Sequence, residues 1–198
     1  MRLLTRRKVL AGMAALPLAS TAQAALQPYI LSTKATVVGF TFDLSGIPQT
    51  GSMPIRQADV QIDMHRLQNS QVTVVLDVNM AKTRLPFARM PMLGPSVLDT
   101  KTFPTIQFVS TDIQLGADGR ISNGARITGE LTVRGITRPV TLEANLYRQP
   151  GTAANDLNRL SIGLTGTLNR HDFGASGYHD LVGKNVGLNI HAEIIRAT

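Results

Sequence analysis

The sequence predicts an all-β protein, built as a closed antiparallel barrel or a two-sheet sandwich. Three observations carry that expectation: apolar residues recur at every second position in eight segments, Gly and Pro punctuate the segments, and no helical pattern is long enough to cover an open sheet. The stretch Gly129 to Leu142 shows the unit most plainly. Leu131 and Val133 alternate with Glu130, Thr132 and Arg134, Gly135 interrupts, and Val140 and Leu142 resume the pattern. Gly135 can adopt φ > 0 without a Cβ clash, so a hairpin turns there. Pro139 has no N–H for a ladder, which places it near a strand start or on an edge.

In chain order, Thr36 to Asp43 comes first, with Val38, Phe40 and Phe42 on one face. Gly46 to Gly51, around Pro48, reads as the turn. Met53, Ile55, Val60 and Ile62 mark the second strand, and their change of parity implies a bulge near Gln57. Val72, Val74, Leu76 and Val78 mark the third. From Lys82 to Lys101, prolines at 86, 91 and 95 exclude a long helix or a central strand, yet Leu85, Phe87, Met90, Met92, Leu93, Val97 and Leu98 are apolar. Short helical turns folded over an apolar interior satisfy both facts. Ile106 to Ile113 gives the fourth strand and Gly116 to Gly119 a loop. Ile121 to Val133, interrupted around Asn123-Gly124, then Thr137 to Tyr147, Leu160 to Leu168 and Val186 to Ile194 complete the eight. Closure removes exposed strand edges, and the interior of an eight-stranded barrel either fills with side chains or holds one slender ligand.

Residues 1–24 are set apart from the fold as a signal peptide. Arg2, Arg6, Arg7 and Lys8 form a basic head, Val9 to Ala19 an apolar core, and Ala22-Gln23-Ala24 a small-x-small cleavage site. The Arg6-Arg7 pair reads as a twin-arginine export signal. The core is shorter than the roughly 20 residues a membrane span needs. Residues 25–198 are expected to form one domain, with the signal cleaved after Ala24 and the protein in the periplasm. Removing the leader takes four basic residues and no acid from the net charge of +7, leaving +3. The remaining Lys and Arg are scattered singly, which is not the clustered footprint of a nucleic-acid binder. The absence of cysteine excludes disulfides and thiolate metal sites.

Three motifs occur in order: Leu98-Asp-Thr-Lys-Thr-Phe103-Pro104-Thr-Ile106-Gln-Phe108-Val-Ser110, Gly129-Glu-Leu131-Thr132-Val-Arg-Gly135-Ile-Thr137-Arg-Pro139-Val140-Thr-Leu142, and Asn169-Arg170-His-Asp172-Phe173-Gly174. Together they resemble the YceI-like polyisoprenoid-binding family, over roughly Tyr29 to Glu193. The resemblance implies a lipocalin-like, extended eight-stranded antiparallel barrel in the bacterial periplasm. It also implies a long amphiphile, an isoprenoid quinone or polyprenyl lipid, in the lumen. Ser32, Ala35-Thr36 and Thr83-Arg84-Leu85 depart from the family's usual pattern, which touches polar contacts near the barrel mouth rather than the apolar lumen.

The candidate lumen wall is Phe40, Phe42, Val74, Leu76, Phe87, Met90, Met92, Leu98, Phe103, Phe108, Leu131, Val133, Leu142, Ile162, Leu164 and Leu188. A filled core with no lumen is the alternative, and the protein would then be an interaction module for a membrane quinone-using complex. No catalytic or metal-binding residue is assigned, and no cofactor is required beyond a bound isoprenoid or other long-chain lipid. His65, His171, His179 and His191 lie far apart, without the i, i+4 spacing of a helical metal site. Ser176, between His171 and His179, lacks the strand-to-helix elbow that exposes a nucleophile. Arg170 and Asp172 read as an ion pair or loop bond. The partners expected are the lipid itself, a transient membrane contact and a second copy of the chain.

Overall fold

The computed structural model describes residues 26–116, 123–147, 151 and 156–197, so the expected leader and cleavage site, most of the loop expected from Gly116 to Gly119, and Ile121 lie outside it. The described elements are β1 (Leu26–Leu31), β2 (Val37–Leu44), β3 (Ile47–Met53), β4 (Ile55–Asp63), β5 (Gln71–Asp77), β6 (Lys82–Thr83), α1 (Pro86–Leu93), β7 (Thr105–Leu115), β8 (Ala125–Val133), β9 (Ile136–Tyr147), β10 (Arg159–Asn169) and β11 (Val182–Arg196). Eight strands form an antiparallel ring in the order β1-β4-β5-β7-β8-β9-β10-β11. The ring closes where Tyr29, Ile30 and Leu31 face Arg196, Ile195 and Ile194. This is the extended eight-stranded antiparallel barrel that the family resemblance implies, and it decides between the barrel and the sandwich that periodicity alone leaves open. β2 and β3 heighten the wall above β1 and β4: β2 runs along β11 from Val182↔Leu44 to His191↔Val37, and β3 pairs with β2 and then with β6.

Two expectations are corrected. The first strand is β1, upstream of Thr36, hidden in the sequence because Pro28 and an irregular polarity mask any alternation. The turn read at Gly46 to Gly51 is only Ser45 (φ 52) and Gly46 (φ 82), capped by Asp43 Oδ1 accepting from the Gly46 N–H at 2.8 Å. The residues after it are strand, because Ile47 and Pro48 sit in register with Leu44 and Asp43 while facing solvent. The bulge expected near Gln57 is present as a register shift between Ile55 and Gln57. Pro139 lies opposite Glu130, and its other side faces a stretch where the ladder between β9 and β10, which spans Glu143 to Tyr147, has ended. It therefore stands on a local edge, where a missing N–H costs nothing.

Each end of the barrel has its own packed cluster. At the lower end Tyr29, Val60, Ile62, Leu160 and Ile194 are buried together, and the Tyr29 hydroxyl donates to Leu157 O at 2.7 Å. At the upper end Val78, Ile106, Leu131, Val133 and Phe173 form a second cluster, with Val140 and Leu168 against it. Phe173 thereby fills the split between β9 and β10. Each such side chain contributes about 1.5–3 kcal/mol by burial.

Candidate functional site

Between the two clusters the barrel is hollow. A cavity of about 520 Å³ runs through it, inside the ~300–1,000 Å³ range of small-molecule sites. Strand periodicity builds its wall: on β11 Val186, Leu188, Ile190, Ala192 and Ile194 all turn inward, as do Val72, Val74 and Leu76 on β5. Phe40 and Phe42, stacked with ring centroids 6.2 Å apart, supply an aromatic face. Phe40 can lie flat because its strand partner is Gly51, where a Cβ would collide with the ring.

Of the residues chosen from sequence, Phe40, Phe42, Val74, Leu76, Met92, Leu98, Phe108, Leu131, Val133, Leu142, Ile162, Leu164 and Leu188 line this cavity. Phe87 reaches it from α1 while remaining 71% exposed. Met90 and Phe103 do not line it, and both are corrections. Met90 is on the outer face of α1, 70% exposed. Phe103 folds over the hairpin of Arg134 (φ 52) and Gly135 (φ 73), so close that a Cβ at Gly135 would be 2.9 Å from its ring. A left-handed glycine against an aromatic ring is a packing device, which the motif's apolar character disguised.

The wall also holds residues the sequence reading passed over. Val38, Ile127 and Val186 were legible from the same period of two as their chosen neighbours. Arg170 was not. It lines the cavity yet is buried to 6% exposure. Its Nε donates to Gly183 O at 3.0 Å, Nη2 to Val182 O at 2.8 Å, and Nη1 to Gly177 O at 2.8 Å and to Ala175 O. Burial lowers its pKa, though an arginine stays charged at any working pH. No ion pair joins it to Asp172, which instead accepts from Asn169 Nδ2 at 3.0 Å. The motif is thus a clip that folds the segment from Gly174 to Gly183 over the upper mouth.

The segment from Lys82 to Lys101 covers the rest of that mouth with β6, the short helix α1 and the turns after it, the short helical cover the sequence predicts. Three clips hold it. Arg89 donates to Ala81 O and Asn79 O, Arg134 Nη1 to Pro95 O at 2.7 Å and Val97 O at 2.8 Å, and Gly177 N to Ser96 O at 2.8 Å. Ser176 is exposed and, among the described residues, bonds neither histidine beside it. His179 Nε2 lies 3.2 Å from Asp180 Oδ1 at the surface, and His191 is exposed near Ser161 and Glu193. Among the described residues no three His, Asp or Glu converge to hold a metal.

The family model of the YceI-like domain matches residues 29–194. The chain belongs to the YceI-like family. A UPF0312 protein of Pseudomonas putida is 38% identical over 80 residues, which is 40% of this chain and 39% of that relative. The aligned part of this chain therefore spans about two fifths of that relative's length. A UPF0312 protein of Vibrio vulnificus is 25% identical over 186 residues, covering 89% of this chain and 95% of the relative. Among solved structures, BcnA of Burkholderia cenocepacia matches with a TM-score of 0.71 at 20% identity, over 85% of this chain and 100% of its own. A polyisoprenoid binding domain from Saccharophagus degradans, implicated in plant cell wall breakdown, matches at 0.62 and 13% identity, over 86% and 99%. At these identities the structural matches establish a shared YceI-like barrel.

Proposed function

We propose that this YceI-like barrel binds one long-chain apolar amphiphile in its lumen, an isoprenoid quinone or polyprenyl lipid, and carries it in the periplasm without a catalytic step. The observation that carries the reading is the hollow interior, walled almost wholly by aliphatic and aromatic side chains. A void of that kind excludes water and takes an apolar guest. The polyisoprenoid-binding neighbour supports the class of guest, and the leader with its cleavage site after Ala24 supports the compartment. A solid-core interaction module would leave the void without a use.

Magnitudes assign affinity to the tail. About ten buried methylenes at ~0.8 kcal/mol each give roughly 8 kcal/mol before the cost of association, whereas one neutral hydrogen bond to a headgroup adds a net ~1 kcal/mol. Affinity therefore climbs with isoprene number until the lumen is full and varies little with the head. Organic extraction of purified protein with mass spectrometry, followed by titration with quinones of graded tail length, tests this. An empty extract together with head-group preference at constant tail and no length effect would sink the reading. Opening of the clipped segment over the upper mouth is the entry step in this scheme.

A further inference from the structure

We propose that the upper rim of the barrel is a docking surface for an anionic lipid bilayer, pressed mouth-down so that a tail passes between membrane and lumen. The proposal rests on the lumen reading and names the surface that would serve it. Six large apolar side chains, Ile47, Met80, Phe87, Met90, Tyr178 and Leu181, stand between 48% and 71% exposed. The backbone gathers them at one end. Ser45 N donates to Leu181 O at 2.7 Å, and Leu44 pairs with both Val182 and Ile47, so Ile47 sits beside Leu181. The Gly51↔Thr83 pair brings the start of α1 to β3, and Arg89 ties α1 to the turn carrying Met80. Gly177 N donates to Ser96 O, which draws Tyr178 toward the segment after α1.

Two features select a bilayer as the occupant. Phe87, Tyr178 and Leu181 also line the cavity, so the exposed patch runs without interruption into the lumen. A tail moving through a mouth seated on lipid never meets water. Exposed Lys82, Arg84 and Lys184 lie on the adjoining β6, just after it, and on β11, against two neighbouring carboxylates, Asp180 beside His179 and Asp43 capping the Gly46 turn. Apolar and aromatic groups fringed by cations suit the interface of an anionic leaflet.

Sedimentation with phosphatidylglycerol–phosphatidylethanolamine vesicles, against phosphatidylcholine vesicles, tests the surface. The protein is expected to bind the anionic vesicles more tightly, and added salt to weaken that binding. Ile47→Asp combined with Met90→Asp, neither of which lines the lumen, lowers vesicle affinity about tenfold or more. Lys82→Glu and Arg84→Glu each lower it roughly fivefold. Affinity for a decyl-tailed benzoquinone in detergent stays unchanged in the double variant. Ile30→Asp, at the lower end, leaves vesicle binding intact. No binding by the parent protein, equal loss with Ile30→Asp, or a dimer that the rim variants dissociate without changing vesicle binding would each overturn the proposal. A filled lumen without vesicle binding overturns the docking surface alone. Rim-dependent vesicle binding with an empty lumen supports the surface and fails only the lumen reading.

Discussion

Asp63 shows how much one side chain can organise. It terminates β4 at 1% exposure, and its carboxylate accepts from the N–H groups of His65 and Arg66 at 2.9 Å and from Asn69 Nδ2 at 3.1 Å. Those bonds, the Arg66 N–H foremost, hold its pKa below the ordinary carboxylate value despite the opposing effect of burial. A depressed carboxylate stabilises the fold above its unfolded pKa, near 3.9, and that contribution disappears as the pH falls through the lower folded value. Asp63→Asn is therefore expected to lower Tm at neutral pH and to flatten the acid limb of a Tm-against-pH curve. An unchanged acid limb would contradict this assignment. Asp63 was not legible in the sequence, and of Arg170 only a loop bond was, because a single polar residue at a strand end or in a turn has no period to announce which carbonyls or amides will surround it.

At the scale of elements, legibility followed regularity. β11 was plain because Val186 to Ile194 alternate without interruption, whereas β1 was invisible because its burial comes from closure against two distant strands. The segment over the upper mouth lay between these extremes: its prolines announced irregularity, but the clip from Arg134, thirty-seven residues beyond Val97, could not be read locally. Losing that guanidinium removes two partly exposed charge-assisted bonds, about 1–2 kcal/mol together. In Arg134→Ala, hydrogen exchange at the Val97 and Leu98 amides should accelerate by roughly 5–30-fold, while amides in β7 and β10 keep their protection. Exchange in the covering segment already as slow as in the strands would show that it does not open and cannot serve as the entry.

For the whole molecule, periodicity revealed which faces point inward but not how far apart opposite walls stand. Leu164 on β10 and Val74 on β5 read equally well as neighbours in a filled core or as two sides of a void, and only the strands' closure into a ring of this breadth separates them. The void can be tested by shrinking it. Leu164→Trp projects extra bulk into the lumen and is expected to cut affinity for long quinone tails more than for short ones. Because empty space absorbs the ring, the loss of stability should stay within about 1–3 kcal/mol. A collapse of stability with no change in tail preference would place Leu164 in a solid interior.

The seam of Tyr29, Ile30 and Leu31 against Ile194, Ile195 and Arg196 joins the earliest strand of the ring to the latest. Such a join has a large sequence separation and is slow to find. Until β11 is synthesised, every partial product is an open ribbon with two bare margins and no enclosed space. The enclosed space consequently exists only once β11 is in place, and a product lacking that strand would offer margins for self-association in place of a tunnel.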